Sequence, residues 1–183
     1  MAGDDLYRMA AEIRILTMTV TKLAGRDLDQ RLAEQGLVLS ALQYGAMRVI
    51  QQHGQCTISD LSRDMMLAPP TLVPVIDALE RHGMAERRRD AQDRRRALVS
   101  LTPQGVNVLA GMPHLHREGA IAGAVRQLGP EKARQLLGLL HELIAHMTDD
   151  PAVLERIEAL LKSHRALCVF PDQAGHSPPP SDT

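Results

Sequence analysis

Seven arginines (Arg81, Arg87, Arg88, Arg89, Arg94, Arg95 and Arg96) fall in one short stretch of the sequence, opposed there only by Glu86, Asp90 and Asp93. The stretch carries +4 in a chain of 183 residues whose formal net charge is −1, which leaves −5 on the remainder. Guanidinium groups are permanently charged, planar, and shaped to fork onto phosphate or carboxylate oxygens. A chain that is near neutral overall yet gathers them on one segment presents an electrostatic footprint for a polyanion. On the charges alone, a merely solvated face stays open as the alternative.

Other reactive residues do not assemble into a site. The eight histidines are His53, His82, His114, His116, His141, His146, His164 and His176. His114 and His116 are two apart and diverge on a helix, His141 and His146 are five apart, and no cysteine or carboxylate cluster completes a ligand set. Cys56 and Cys168 are distant from each other and lack metal-type spacing, so no disulfide framework is expected and a reducing compartment suits the chain. Cys56 is expected on a short strand beside the core as a small hydrophobe, and Cys168 near the tail with no cationic cluster to activate it. Thiol and metal sensing therefore remain alternatives without a positive signal. No nucleophile elbow, phosphate-cradling glycine loop or metal spacing is present, and neither an enzyme nor a cofactor is expected. Asp4, Asp5, Arg8, Glu12 and Arg14 interrupt the N-terminal apolar residues, which argues against a signal peptide. No apolar run is long enough for a bilayer. A soluble, cytoplasmic protein with no membrane partner is expected.

The elements that must hold the arginine segment can be read from periodicity. Hydrophobic residues make up 44% but aromatic residues only 2%, so the core is aliphatic, with nine methionines, and suits a helical fold. Leu6, Met9, Ile13, Leu16, Val20 and Leu23 step by threes and fours, the seam of a helix lying along another helix. Ala133, Leu136, Leu140, Leu143 and Met147 form a second seam, and Leu154, Ile157 and Leu161 a third after a break at Thr148–Pro151. Ser40 with Gln43, and Thr57 with Asp60, are the pairs that open helices, the first running to Ile50 and closed by His53-Gly54, the second running to about Met65. After a turn at Met66-Leu67-Ala68, Pro69-Pro70 starts a third helix with Leu72, Val75, Ile76 and Leu79 on one face, ending at Arg81-His82-Gly83. The period then changes. Met84–Arg89 and Arg96–Leu101 read as two strands, the second turning Ala97, Val99 and Leu101 toward the core, with 90–95 as the tip. Thr102-Pro103 caps a further helix, interrupted near Gly111 and Pro113, and Gly129-Pro130 starts the next. Pro171–Thr183 reads as a disordered tail.

Helix, turn, helix and charged hairpin is the order of a winged helix-turn-helix. Leu72–Arg87 (LVPVIDALERHGMAER) resembles the recognition helix and first wing strand of the multiple-antibiotic-resistance regulator (MarR) family. Asp93–Gly105 (DRRRALVSLTPQG) resembles that family's wing signature, D-x-R-x-x-x-V-x-L-T-x-x-G, and Leu128–Glu131 with Leu136-Leu137 looks like the start of its last dimerisation helix. The resemblance covers roughly residues 37–147. It implies a mostly α fold with a small β-hairpin wing: dimerisation helices in 1–36, a DNA-binding lobe in 37–103, dimerisation helices in 104–165, and a tail over 166–183. It further implies a homodimeric transcription regulator, a repressor, holding double-stranded DNA at a pseudo-palindromic operator with half-sites roughly 34 Å apart. A small-molecule effector would release the DNA by altering lobe spacing.

The DNA-contacting residues so implied are Pro69, Pro70, Thr71, Val73, Pro74 and Asp77 on the recognition helix and Arg88, Asp93, Arg94, Arg95 and Arg96 on the wing. Arg95 takes the minor-groove position and Asp93 would brace the tip. The sequence departs from the family at Pro74, where many relatives carry a long polar or basic residue. Thr71 can hydrogen-bond, and Val73 or a proline ring can touch a thymine methyl, but nothing there makes the forked Arg–guanine or Asn/Gln–adenine contact. Pro74 can also be purely structural near a helix start. A thin recognition face keeps a different class open, a winged helix used as a protein-interaction module.

Overall fold

The computed structural model describes residues 2–89, 96–112 and 119–168. Its elements are α1 (Ala2–Glu34), α2 (Ala41–His53), β1 (Gln55–Thr57), α3 (Ile58–Met65), α4 (Pro69–Arg81), β2 (Ala85–Arg89), β3 (Ala97–Leu101), α5 (Pro103–Ala110), α6 (Ala120–Met147) and α7 (Pro151–Cys168). The chain divides into two compact units, Met1–Glu142 and Leu143–Thr183. The second holds the last turn of α6 and all of α7, with the Leu154, Ile157 and Leu161 stripe on α7. Among the described residues no helix is long and apolar enough to cross a membrane.

Two capping boxes set the starts of the first lobe helices. Ser40 Oγ accepts from the Gln43 amide at 3.2 Å while Gln43 Oε1 accepts from the Ser40 amide at 2.7 Å. Thr57 and Asp60 repeat the arrangement at 3.1 Å in both directions. Each box satisfies two N–H groups that the helix itself leaves without partners, worth about 1 kcal/mol apiece. Thr57 also donates its hydroxyl proton to Asp60 Oδ2 at 2.6 Å. Those bonds to Thr57, before the nearby Arg63, hold the Asp60 carboxyl below its ordinary range.

The strands form one antiparallel sheet in the order β1-β3-β2. Cys56 and Arg87 both sit opposite Val99, one on each side of it. The core gathers Leu61 from α3, Leu72, Ile76 and Leu79 from α4, Tyr44, Met47 and Ile50 from α2 and Val99 from the sheet, all nearly inaccessible. It also takes in Leu32 from α1 and Leu109 from α5, with Leu28 and Val108 packed against it, so both flanking helices close the lobe. Of the three β3 residues expected to turn inward, Val99 is buried and Leu101 packs against the core, but Ala97 is exposed. Ala97 pairs with Arg89 at the far end of the hairpin, where the strands have run past the helices and neither face has a core to meet.

The two long helices are different. The seam on α1 lies open: Leu6, Leu16 and Leu23 are each more than half exposed. On α6, Leu136 and Met147 are exposed and no residue of the helix is buried. The expected break at Gly129-Pro130 falls inside α6, where Gly129 takes φ 79° and divides the helix into two segments. Asp27 near the end of α1 ties the α6 start, accepting from the Ala120 amide at 3.0 Å.

Candidate nucleic-acid interface

The α3–α4 corner is held by a tight turn. Met66 adopts the left-handed region at φ 51°, the one described non-glycine residue with positive φ, and Ser62 donates its hydroxyl to the Leu67 carbonyl. That turn aims α4 outward. Leu72, Val75, Ile76, Ala78 and Leu79 enter the core, which leaves Pro69, Pro70, Thr71, Val73, Pro74 and Asp77 together on the exposed face. The six residues expected there are therefore brought onto one surface.

The hairpin is fixed to this helix by Arg87. Its Nη1 donates to Asp77 Oδ1 at 2.6 Å and to Glu80 Oε2 at 2.5 Å, and its backbone amide donates to Glu80 Oε1 at 2.9 Å. These side chains are a quarter to half exposed, so the clamp adds on the order of 1 kcal/mol and matters more for the angle between wing and helix. This bears on how the charged stretch is used. Arg87 is a strut inside the lobe rather than part of the free positive footprint, and the Asp77 carboxylate is engaged by it. Glu80, which completes the clamp, was not singled out from the sequence, because a pairing between the last turn of a helix and the following strand obeys no local spacing rule.

Beyond Arg87 the hairpin points its charge outward. Arg88 is largely exposed and pairs with Glu86 at 2.8 Å, while Arg89, at the end of β2, and Arg96, just before β3, are exposed. Asp93, Arg94 and Arg95, and the pairing that would brace the tip, lie outside the described residues, as do His114, His116 and the proposed tail.

The base of the hairpin is locked to α5. Thr102 donates its amide to the Met84 carbonyl at 3.1 Å and its hydroxyl to the Gly83 carbonyl at 2.6 Å, and the same oxygen accepts from the Gly105 amide at 3.1 Å. Thr102 thus caps α5 and staples β3 to the end of α4. A Cβ on Gly105 would stand 2.1 Å from the Met84 carbonyl oxygen, closer than any real contact. The T-x-x-G half of the wing signature is thereby explained by hydrogen bonding and close backbone approach.

Cys56 is 4% exposed. Burial first, then Asp60 and Asp64, pushes its thiol from an ordinary 9.0 up to about 11. The nucleophilic thiolate is scarce at neutral pH, opposite to the state of a reactive cysteine. At pH 8, alkylation of Cys56 in the folded protein is expected to run roughly 100-fold slower than in urea, since a two-unit rise removes that factor of thiolate. Peptide mass spectrometry after timed iodoacetamide treatment reads this; equal rates would refute it. Because the fold favours the protonated thiol, this contribution to stability is complete below about pH 9 and is lost as pH rises through about 11.

A cleft of about 480 Å³ opens where the end of α1, the turn into α2 and His82 meet, lined by Asp29, Leu37, Val38 and Gln43 among others. His82 Nδ1 is buried there without a hydrogen-bond partner. Among the described residues no group of three or more His, Cys, Asp or Glu side chains could hold a metal ion.

Comparison with known proteins agrees on a family. A sequence profile of the MarR family matches residues 39–97. The uncharacterised HTH-type transcriptional regulator YwhA of Bacillus subtilis (strain 168) is 30% identical over 97 residues, covering 53% of this chain and 69% of YwhA. The organic hydroperoxide resistance transcriptional regulator of the same organism is 30% identical over 102 residues, covering 56% of this chain and 67% of its own length. The crystal structure of the S. aureus MepR–DNA complex superposes with a TM-score of 0.65 at 23% identity, over 73% of this chain and 96% of MepR, which shows a shared fold.

Proposed function

The chain belongs to the MarR family, and from that premise we propose that it is a homodimeric transcription regulator, a cytoplasmic repressor rather than an enzyme, that binds double-stranded DNA. One observation carries the proposal: the exposed face of α4 and the arginine-bearing hairpin are clamped to each other by Arg87. The clamp joins a helix of groove-filling width to a positively charged arm. In a two-fold dimer built from residues 1–36 and 104–165, each lobe (37–103) sets α4 in a major groove, with Pro69, Pro70, Thr71, Val73, Pro74 and Asp77 toward the base edges. Its hairpin then lies along the flanking minor groove, where Arg88, Arg94, Arg95 and Arg96 meet the backbone or the groove floor and Asp93 shapes the tip. The two half-sites lie roughly 34 Å apart on a pseudo-palindromic operator.

Release follows from linkage. A small apolar effector in the cleft beside His82 would touch both the α1–α2 turn and the C-terminal end of α4. If it binds better to a lobe spacing that DNA does not accept, it lowers operator affinity by that difference. Sensing through Cys56 is disfavoured by its protonated, buried thiol.

The test is binding of the intergenic DNA beside the protein's own gene, measured by fluorescence anisotropy across a salt series. Affinity should fall steeply as salt rises, because several phosphate contacts displace counterions. An interaction module that met partners through the apolar face of α4 would show no such slope. Arg95→Ala is expected to cost more than ~1 kcal/mol of affinity, the scale of a good groove contact. Unchanged affinity in the same titration would remove Arg95 from the interface.

A further inference from the structure

The geometry points to a recognition helix that selects its DNA through thymine 5-methyl groups, with Pro70, Val73 and Pro74 as the reading residues; this rests on the DNA-binding reading above.

The first two exposed turns of α4 carry Pro70, Val73 and Pro74 in helical register, and Val73 is 41% exposed. The polar means of reading DNA are missing from the same surface. A helix start ordinarily offers free N–H groups to a phosphate. Here the first two positions are Pro69 and Pro70, which have no N–H, and the Thr71 amide is already given to the Ala68 carbonyl at 2.9 Å. Asp77, next along the face, is held by Arg87 at 2.6 Å. Before Asp77, the Thr71 hydroxyl is the one hydrogen-bonding side chain on that surface.

An apolar face in the major groove discriminates in one direction. Every base pair presents acceptors and donors there that an apolar neighbour would desolvate without replacing, but thymine alone adds a methyl, whose burial offsets that cost. Exposed Arg88, Arg89 and Arg96 on the adjoining hairpin supply charge complementary to a phosphate backbone, which favours duplex DNA over an apolar protein as the occupant of the face. Specificity then comes from methyl contacts under Val73 and the two prolines, and from groove shape under the wing.

The experiment selects a binding site from random duplexes with the full-length protein. It then compares that site made with thymine against the same site with deoxyuridine, which lacks only the 5-methyl. Each buried methyl is worth about a fourfold change, so substitution beneath both copies of α4 should weaken binding about tenfold or more. Uracil confined to the flanks under the wings should leave affinity unchanged. Val73→Ala, at an exposed position that leaves the core intact, should shrink the thymine-to-uracil ratio toward one. Equal affinity for the two duplexes, or a loss arising wholly from the flanks, overturns the methyl reading while DNA binding stands. Failure of the selection to enrich any duplex at low salt overturns both.

Discussion

Gly105→Ala is expected to lower the stability of the lobe by about 3 kcal/mol, near the upper range for forcing a group into packed structure. The added Cβ would meet the Met84 carbonyl oxygen at 2.1 Å, and that atom is backbone, so no side chain can swing away to relieve it. The same carbonyl accepts from the Thr102 amide at 3.1 Å, and Thr102 Oγ1 bonds both the Gly83 carbonyl and the Gly105 amide. Moving Met84 away would loosen all three bonds and separate β3 from the end of α4. Thermal melting should show a midpoint lower by roughly 6–12 °C, from the usual conversion for a chain of this size. A wild-type midpoint would mean that the hairpin base and α5 do not approach as described.

If α1 forms the proposed two-fold interface, Leu16→Glu is expected to convert the dimer to monomer and to weaken binding to the proposed operator by at least ~100-fold. Two linked lobes gain a factor of that order from effective concentration alone. Leu16 is 63% exposed on α1 and stands in the seam with Met9, Ile13, Val20 and Leu23, whose exposures run from 43 to 56%. That apolar stripe is the surface the proposed dimer would cover, and a carboxylate in the middle of the seam would then be buried without a counter-charge. The substitution touches no residue of the lobe core, so circular dichroism should retain its helical signal while light scattering shows half the mass. A variant that stays dimeric with full affinity would place the interface elsewhere.

Much of the lobe was legible in the sequence because its signals are local. Ser40 with Gln43 and Thr57 with Asp60 close their hydrogen bonds across three residues, and both helices begin where those pairs said. Pro69-Pro70 started α4 and Gly83, at φ 69°, ended it, since each residue type restricts its own backbone. Gly129-Pro130 divided α6 for the same reason. The face of α4 followed from a period of 3.6, and all six residues assigned to its outer side are exposed there.

What a single residue does once other elements surround it was not legible. Ala97 alternates correctly with Val99, yet it faces water, because alternation cannot report where a core ends. Arg87 is indistinguishable in sequence from Arg88 and Arg89, but only Arg87 stands within reach of Asp77 and Glu80. Its charge is therefore consumed inside the lobe. The chain by itself determined the order of the elements, the face of α4 and the concentration of arginine on the hairpin, since propensity, capping and periodicity act within a few residues. The tertiary structure alone decided which arginine is a strut, why Gly105 admits no side chain, and that Asp60 and Asp64 stand near the Cys56 thiol. Those outcomes depend on distances between groups that only folding brings together.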